Sequence, residues 1–387
     1  MSENSVDNNK LFSLLLRIES RLAEVLPEKA SAGWIENACG IKSTEKQTDW
    51  ADSFLLPGTD LLGRGGKRWR PLSTVLICEA LGGGDSADVL TPLVEIPHNG
   101  TLIIDDIEDN SLLRRGEPAA HVKYGVDVSV NMGNLMYFLP TMILDKPEVK
   151  NIFNTETRLD ILSDFNRAMR KVHFGQGFDI LWHREKHIFP DKDSYLAMCS
   201  LKTGSLAALG AELGVRAAFS ANESSGEPGG GKAAETEYSA SGKKSESAYN
   251  NIFSSLSSAM EKLGTGFQIL DDVQNLSSGI PGKSRGDDIV EGKKSLPVII
   301  HVQKNKSDAQ VLSELFEKAA SEQSIGIRDS VERTIELLEK SGSIHEAKIQ
   351  GDTLINEGKT VLEEVLPDGS AKTELISLFD GFIKKMK

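Results

Sequence analysis

Apolar side chains recur at helical spacing over most of the chain. In the first segment they fall at steps of three and four residues up to Pro27, at Leu11, Leu14, Leu15, Ile18, Leu22 and Val25. The same spacing predicts further helices at 75–81, 93–113, 195–217, 252–276 and 331–338. Alternating apolar and polar runs, which are typical of strands, are scarce. The pattern therefore predicts an all-α fold.

One segment, 220–249, departs from this pattern. It contains no Val, Ile, Leu, Phe or Met, and Ser, Gly, Glu, Ala and Lys predominate. A segment of this composition buries too little apolar surface to order itself, so we expect a mobile loop. Helical patterns resume on both sides, which favours an insertion within a single domain spanning 1–387 over a linker between two domains.

The composition is that of a globular protein, with 387 residues, 39% of them hydrophobic and 26% charged, and a formal net charge of −13. So acidic a chain is not expected to bind nucleic acid. No run of eighteen apolar residues occurs, so no membrane span is expected, and the polar N-terminal residues favour a cytoplasmic protein over a secreted one. The cysteines, Cys39, Cys78 and Cys199, lie too far apart in sequence to indicate a disulfide framework or a zinc site.

The first candidate site is an acidic motif that follows the apolar run 102–104. On a helix, Asp105 and Asp109 lie one turn apart on the same side, Asp106 lies beside them, and His98 lies about two turns earlier. Buried carboxylates need positive charges or hydrogen-bond donors to compensate their negative charge. Oxygen ligands on a rigid helix suit a hard cation such as Mg²⁺. A solvated acidic helix face is the alternative.

A second acidic motif places Asp271 and Asp272 after another apolar stretch, with Gln268 one turn earlier. If both acidic motifs are buried and face each other, their carboxylates would repel each other strongly. Either divalent ions lie between the two motifs, or the two helices do not face one another. We favour the ions.

Basic residues are the expected ligands of diphosphate groups, because arginine forks and lysine charges match phosphate oxygens. Each basic cluster taken singly could be a surface charge, but their joint occurrence with the acidic motifs points to anion binding. The clusters are Lys67, Arg68 and Arg70; Arg114 and Arg115; Lys202; and Lys283 with Lys293.

Six motifs, in this order, resemble the trans-prenyl diphosphate synthase (polyprenyl synthetase) family between about 65 and 297. They are GGKRWRP, HNGTLIIDDIEDNSLLRRGEP, GQGFD, KTGSL, FQILDD and GKSRGDDIVEGKKSLP. The resemblance implies a single bundle of mostly antiparallel helices around a central cavity, paired as a homodimer. It also implies a magnesium-dependent enzyme that condenses isopentenyl diphosphate with an allylic diphosphate, head to tail.

The resemblance further implies a role for each matching residue. Several Mg²⁺ ions in each active site would be held by the expected catalytic carboxylates, Asp105, Asp106, Asp109, Asp271 and Asp272. Isopentenyl diphosphate would be bound by Lys67, Arg68, His98 and Arg115. The allylic diphosphate would be contacted by Arg114, Lys202 (also expected to be catalytic), Thr203, Gln268, Lys283 and Lys293, with Gln176 and Asp179 nearby.

Three residues depart from the family pattern. Asn275 stands in place of the last aspartate of the second motif, and Asn134 stands where the family has the aspartate of a Gly-Asp pair. A neutral amide is a poorer Mg²⁺ ligand, so a site that depended on Asn275 would bind metal weakly. Pro97 directly precedes His98 and predicts that the helix kinks or begins there.

Product length in the family is limited by the residues four and five positions before the first aspartate. Here these are Thr101 and Gly100, and both are small. The rule predicts a product of C20 or longer rather than C15. Tyr137 and Phe138 on a neighbouring helix could still close the pocket.

Two other functions stay open at this point. A weakly active or regulatory subunit of a heteromeric prenyl synthase would fit Asn134 and Asn275, and would need a second chain for activity. A terpenoid cyclase or head-to-head synthase would share the acidic helices. It would not need the isopentenyl site that the GGKRWRP cluster predicts.

Overall fold

The computed structural model describes residues 3–225, 242–279, 284–323 and 326–384, and these are almost entirely helical. A single pair of two-residue strands, β1 (Leu113–Arg114) and β2 (Glu117–Pro118), pairs antiparallel within the described ranges. The helices of the first half are α1 (Glu3–Val25), α2 (Ala32–Cys39), α3 (Glu45–Gly63), α4 (Trp69–Ala80), α5 (Pro92–Glu108), α6 (Ala120–Tyr124), α7 (Val126–Phe138), α8 (Pro147–Ile152) and α9 (Thr155–Arg184).

The second half continues the same architecture, and the predicted all-α fold is confirmed. Its helices are α10 (Lys192–Cys199), α11 (Ser205–Ser225), α12 (Gly242–Ser277), α13 (Asp287–Glu291), α14 (Leu296–Lys304), α15 (Ala309–Gln323), α16 (Asp329–Lys340), α17 (Ser343–Val365) and α18 (Ser370–Lys384). Short helical turns of other types lie at Asp88–Leu90, Leu139–Asp145, Ser200–Gly204 and Lys306–Asp308.

Polar side chains fix where several helices begin. Thr44 accepts a hydrogen bond from the backbone N–H of Gln47, and the Gln47 side chain accepts one from the Thr44 N–H in return. Asn154 caps α9 and Asp191 caps α10 in the same manner, each through a backbone N–H three residues later. These caps satisfy donors that a helix leaves unpaired, and each contributes about 1 kcal/mol.

The buried side chains form one large cluster and two smaller ones. The large cluster joins α1 to α12 and the C-terminal helices, and includes Phe153, Phe165 and Phe379. A second cluster surrounds Phe316, and a third lies around Tyr195, next to the second acidic motif. No helix within the described ranges is both long and apolar enough to cross a bilayer.

Two sequence-based boundaries need correction. The helix predicted at 93–113 ends at Glu108, because the chain turns through positive φ at Asn110 and again at Arg115 before the β1–β2 hairpin is complete. Pro97 lies inside α5, so the helix does not begin there.

Both ends of the segment 220–249 are helical where a loop was expected, since α11 extends to Ser225 and α12 begins at Gly242. Its central part, 226–241, lies outside the described residues. The single-domain organisation stays a prediction.

A close helix contact brings two of the predicted motifs together. A Cβ atom at Gly175 of α9 would come within 2.4 Å of the Lys202 backbone nitrogen, so no side chain fits there. As a result α9, which carries Gln176 and Asp179, lies directly against the turn Ser200–Gly204.

Candidate active site

A cavity of about 1010 Å³ opens between α4, α5, α7, α9 and α12. Most residues predicted from the motifs line it, so side chains far apart in the sequence meet in one place. The predicted residues in the lining are Lys67, Arg68, His98, Thr101, Asp105, Arg114, Arg115, Gln176, Asp179, Lys202, Thr203, Gln268, Asp271, Asp272 and Lys293. Lys283 lies outside the described residues, and Gly100, Asp106 and Asp109 lie behind the lining.

Asp105 is the aspartate of the first motif that faces the cavity. It accepts hydrogen bonds from Gln176 Nε2 at 2.9 Å and from Lys202 Nζ at 3.2 Å. Lys202 also donates to Asp179 at 2.6 Å. Burial opposes the charge on Lys202, but the two aspartates raise its pKa above the usual value. Lys202 therefore stays a fixed cation at this wall.

Glu108 was not predicted as a site residue, although it follows Asp105 by three positions on the same helix. It lines the cavity and accepts a hydrogen bond from Gln176 Nε2 at 2.7 Å. Burial raises the pKa of its carboxyl group. The i, i+3 spacing from Asp105 was the signal that could have identified it.

Asp106 is buried and points toward Arg114, which follows it on the β1 strand. The Arg114 Nη2 and Nε atoms donate to the Asp106 carboxylate at 2.5 and 2.9 Å. Burial alone would lower the pKa of Arg114, but the Asp106 charge and hydrogen bonds raise it above its usual value. The pair holds the β1–β2 hairpin against the first motif.

Asp109 caps α5 and forms an ion pair with Lys293 at 2.8 Å. Lys293 is also 2.7 Å from Glu291, which in turn accepts a hydrogen bond from Ser111. Burial raises the pKa of Asp109 to about 7, although Lys293 acts in the opposite direction. The third aspartate of the first motif is therefore held by the last basic motif, away from the cavity.

The second acidic motif lies on α12, and two neutral donors contact its Asp272. Asp272 accepts hydrogen bonds from Tyr195 Oη at 2.6 Å and from Gln268 Nε2 at 2.9 Å. Thr203 Oγ1 donates to Gln268 Oε1 at 2.8 Å. Burial raises the pKa of Asp272 to about 6, against the two hydrogen bonds. No motif in the sequence pointed to Tyr195.

The donor set of the cavity fits Mg²⁺, because Asp105, Asp271 and Asp272 present oxygen atoms to the same space. Within the described ranges, no three acidic, histidine or cysteine side chains are gathered closely enough to form a metal site by themselves. Mg²⁺ commonly keeps several waters and is completed by substrate phosphates. Asp106 and Asp109 would reach such an ion only after release from Arg114 and Lys293.

The opposite part of the cavity is strongly basic around His98. Arg70 Nη1 lies 3.3 Å from His98 Nε2, and Arg70 Nε is buried with no hydrogen-bond partner among the described residues. Burial, and then the charges of Arg70, Arg115 and Arg114, lower the pKa of His98 well below its usual range. Buried cations around a neutral imidazole favour an anion at this place.

Arg68, which the motif assigned to isopentenyl diphosphate, has a different environment. Its side chain is only 2% exposed and forms ion pairs with Glu19 at 2.7 Å and Glu95 at 2.8 Å. Its Nη2 atom donates to the Leu62 carbonyl oxygen. Its donors are thus bound inside the protein, and Arg70 is the better candidate for the diphosphate ligand.

The two asparagines that depart from the family pattern have different positions. Asn275 is fully buried and does not line the cavity; its Oδ1 atom accepts from the Asp288 backbone N–H at 3.4 Å. This contact lies at the start of α13. Asn134 lines the cavity from α7.

Two aromatic side chains, Tyr137 of α7 and His173 of α9, form a part of the cavity lining that we call the floor. The two rings pack edge to face, with 4.9 Å between ring centroids. Phe138 is 72% exposed and points elsewhere. A Cβ atom at Gly100 would lie 2.9 Å from the Gly133 carbonyl oxygen, so α7 fills the space that the small residue leaves. Gly100 does not open the cavity, whereas Thr101 lines it.

The chain is similar in sequence to proteins named as geranylgeranyl diphosphate synthases. The chain is 32% identical over 233 residues to a geranylgeranyl pyrophosphate synthase of Epichloe festucae, covering 60% of this chain and 57% of that protein. It is 29% identical over 358 residues to the geranylgeranyl diphosphate synthase of Methanosarcina mazei, covering 89% and 97%. The aligned part of the chain therefore spans less than two thirds of the Epichloe relative.

Solved structures show the same fold. The geranylgeranyl pyrophosphate synthetase of Pyrococcus horikoshii matches with a TM-score of 0.75 at 24% identity, over 99% of each chain. A family model described as "Polyprenyl synthetase" matches residues 53–227 and 234–332, well over half of the chain. The chain therefore belongs to the polyprenyl synthetase family.

Proposed function

We propose that this protein condenses isopentenyl diphosphate with an allylic prenyl diphosphate, head to tail. One observation carries the proposal: a single cavity brings both acidic motifs together with two groups of cations. The group around Arg70, His98 and Arg115 suits the diphosphate of isopentenyl diphosphate. The group around Lys202 and Arg114 suits the diphosphate of the allylic substrate. A reaction between two diphosphates needs two such sites close together.

In the proposed reaction the allylic carbon–oxygen bond breaks, and its electron pair leaves with the diphosphate. Several Mg²⁺ ions in each active site would neutralise the negative charge on that leaving group. Asp105, Asp271 and Asp272 would hold these ions. Lys202 and Arg114 lie beside the first motif and would donate hydrogen bonds to the same oxygens. The double bond of isopentenyl diphosphate forms the new carbon–carbon bond, and a proton from its adjacent carbon passes to the departing diphosphate.

Lys67 and Arg115 complete the isopentenyl site in this proposal. Lys67 lines the cavity with its ammonium 4.7 Å from the centroid of the Phe267 ring. Arg115 has positive φ and donates through Nη1 to the carbonyl oxygens of Leu61 and Gly65, so its guanidinium is fixed in place. A rigid cation loses little conformational entropy when the diphosphate binds.

The proposed product is C20. The relatives from Epichloe festucae and Methanosarcina mazei are named as geranylgeranyl synthases, and their names supply the C20 length. In this chain the floor of Tyr137 and His173 limits the depth of the cavity, while Thr101 is too small to close it nearer the first motif.

A homodimer is the proposed assembly, and the exposed aromatic residues next to the floor support it. Phe138 is 72% exposed and Phe174 is 67% exposed, and their sequence neighbours Tyr137 and His173 are in contact. Large exposed apolar side chains grouped on one face are typical of an interface. Sedimentation equilibrium of the wild type and of a Phe138→Ser/Phe174→Ser double variant tests this, since a wild-type monomer would contradict it. A cytoplasmic location stays a prediction.

The experiment that tests the function is incubation of the purified protein with Mg²⁺, labelled isopentenyl diphosphate and each of the C5, C10 and C15 allylic primers. Dephosphorylated products are separated by chromatography. We expect elongation with C20 as the main end product, and loss of activity when the metal is chelated. No elongation with any primer would contradict the proposal.

Two aspartate variants make the assay specific to the site. Asp105→Asn should abolish elongation, because it removes the charge of the aspartate of the first motif that faces the cavity. Asp368→Asn is the matched control, since the Asp368 side chain is fully exposed and far from the cavity lining. Elongation by this chain alone also separates the proposal from the alternative suggested by Asn134 and Asn275, a subunit that needs a second chain.

A further inference from the structure

Tyr195 combines an apolar environment with one buried polar atom. Its ring is 1% exposed and packs in a cluster with Trp182, Met198 and Val273. The hydroxyl group donates to Asp272 Oδ2 at 2.6 Å, across the boundary between α10 and α12. Packing thus fixes the ring, and the ring fixes the direction from which the carboxylate receives its hydrogen bond.

The second carboxylate oxygen of Asp272, Oδ1, also accepts a hydrogen bond. Gln268 donates to Asp272 Oδ1 at 2.9 Å, and Thr203 donates to Gln268 at 2.8 Å. Tyr195 and Thr203 both lie on one short segment, which consists of α10 and the turn Ser200–Gly204. Both oxygens of the carboxylate are therefore oriented by the segment that carries Lys202.

The donors at Asp272 differ in charge from those at the first motif. Asp105, Asp106 and Asp109 are each paired with Lys or Arg, whereas the hydrogen bonds described for Asp272 come from a phenol and an amide. Neutral donors orient a carboxylate and leave its negative charge for a metal ion. Hydrogen-bonding partners of this kind commonly change metal affinity roughly 10- to 100-fold.

We propose that Tyr195 is a positioning residue, whose hydroxyl fixes the Asp272 carboxylate and thereby sets the affinity of the second acidic motif for Mg²⁺. The inference rests on the proposed function, in which Asp272 holds the ion that contacts the allylic diphosphate. Tyr195 itself acts only through Asp272.

The test is Tyr195→Phe, which removes the donor and keeps the ring. Mg²⁺ is titrated calorimetrically into the protein in the presence of inorganic pyrophosphate, so the readout does not depend on turnover. We expect affinity to fall about 10- to 100-fold. Tyr249→Phe is the matched control, because Tyr249 lies on α12 against Phe219 and Phe253, outside the cavity lining. Unchanged affinity in folded Tyr195→Phe overturns the inference.

A double-mutant cycle with Asp272→Asn separates positioning from a structural effect. If Tyr195 acts through Asp272, Tyr195→Phe should not reduce Mg²⁺ affinity further in the Asp272→Asn background. An equal loss in both backgrounds would overturn the inference, whether or not Tyr195→Phe also lowers the melting temperature.

Steady-state kinetics provide a second readout of the same variant. The Mg²⁺ concentration for half-maximal rate and the KM for the allylic diphosphate should rise, while the KM for isopentenyl diphosphate stays the same. A rise in the isopentenyl KM alone would contradict the inference. Failure of the wild type to elongate any primer would instead contradict the proposed function, and the pyrophosphate titration would still decide the role of Tyr195.

Discussion

Arg68 and Arg70, two residues apart, are predicted to respond to substitution in opposite ways. Arg70→Met removes a buried guanidinium beside His98, while Arg68→Met removes the partner of the buried carboxylate Glu95. A hydrogen bond to a charged group contributes about 1.5–3 kcal/mol, so Arg70→Met should raise the KM for isopentenyl diphosphate roughly 10- to 150-fold. The KM for the allylic substrate and the stability should change little.

Arg68→Met should act on stability instead of substrate binding. The Arg68 and Glu95 side chains are 2% and 3% exposed, so the substitution removes the ion-pair partner of a buried carboxylate. Removal of one partner of such a pair costs about 3–5 kcal/mol. The double variant Arg68→Met/Glu95→Gln removes both charges and should recover part of this loss. The side-chain amide introduced by Glu95→Gln keeps an oxygen that can accept the hydrogen bond that Asn99 Nδ2 donates to Glu95.

The assay is steady-state kinetics with each substrate varied in turn, together with urea unfolding of the three variants and the wild type. The expected result is a substrate-specific KM effect for Arg70→Met and a shifted unfolding midpoint for Arg68→Met. The reasoning would be refuted if Arg68→Met raised the isopentenyl KM as much as Arg70→Met and unfolded at the wild-type urea concentration.

Three further predictions follow from the floor, from α13 and from the residue after Lys293. Tyr137→Ala should give products longer than those of the wild type by chromatography, while Phe138→Ala, at an exposed position, should not. Asn275→Asp should lower the free energy of unfolding by about 1–3 kcal/mol, because it buries a charge outside the cavity, and it should not raise the elongation rate; a faster enzyme would contradict this. Burial lowers the pKa of Lys294 from 10.5 to about 7. Between these two pH values the unfolded chain binds more protons than the folded protein, so the free energy of unfolding should rise with pH. Lys294→Met should reduce that slope by up to about 1.4 kcal/mol per pH unit, as measured by unfolding between about pH 7.5 and 9.5.

Helical periodicity was sufficient to predict the class of fold, because the apolar face of each long helix is read directly from spacing. The same argument failed at the end of α5. Asn110 and Arg115 adopt positive φ there without the glycine or proline that usually signals a break. The helix prediction therefore continued five residues past Glu108, into the hairpin that carries Arg114.

The motifs also identified most of the cavity lining, but not which neighbouring side chain faces inward. Arg68 has positive φ and lies at the start of α4, which turns its side chain toward Glu19 and Glu95. These partners come from α1 and α5, so spacing within the motif cannot reveal them. In the same way, Gly100 is small because the α7 backbone at Gly133 packs on it.

The ion pairs at the first acidic motif mean that the protein carries its own counterions. Asp105, Asp106 and Asp109 are balanced by Lys202, Arg114 and Lys293 before any ligand arrives. If the proposed function is right, arrival of a metal–diphosphate complex would be an exchange of partners, in which the carboxylates would turn to the metal and the released cations would turn to the phosphates. Each ion pair lost within the protein would then be replaced by a pair of opposite charges between protein and substrate.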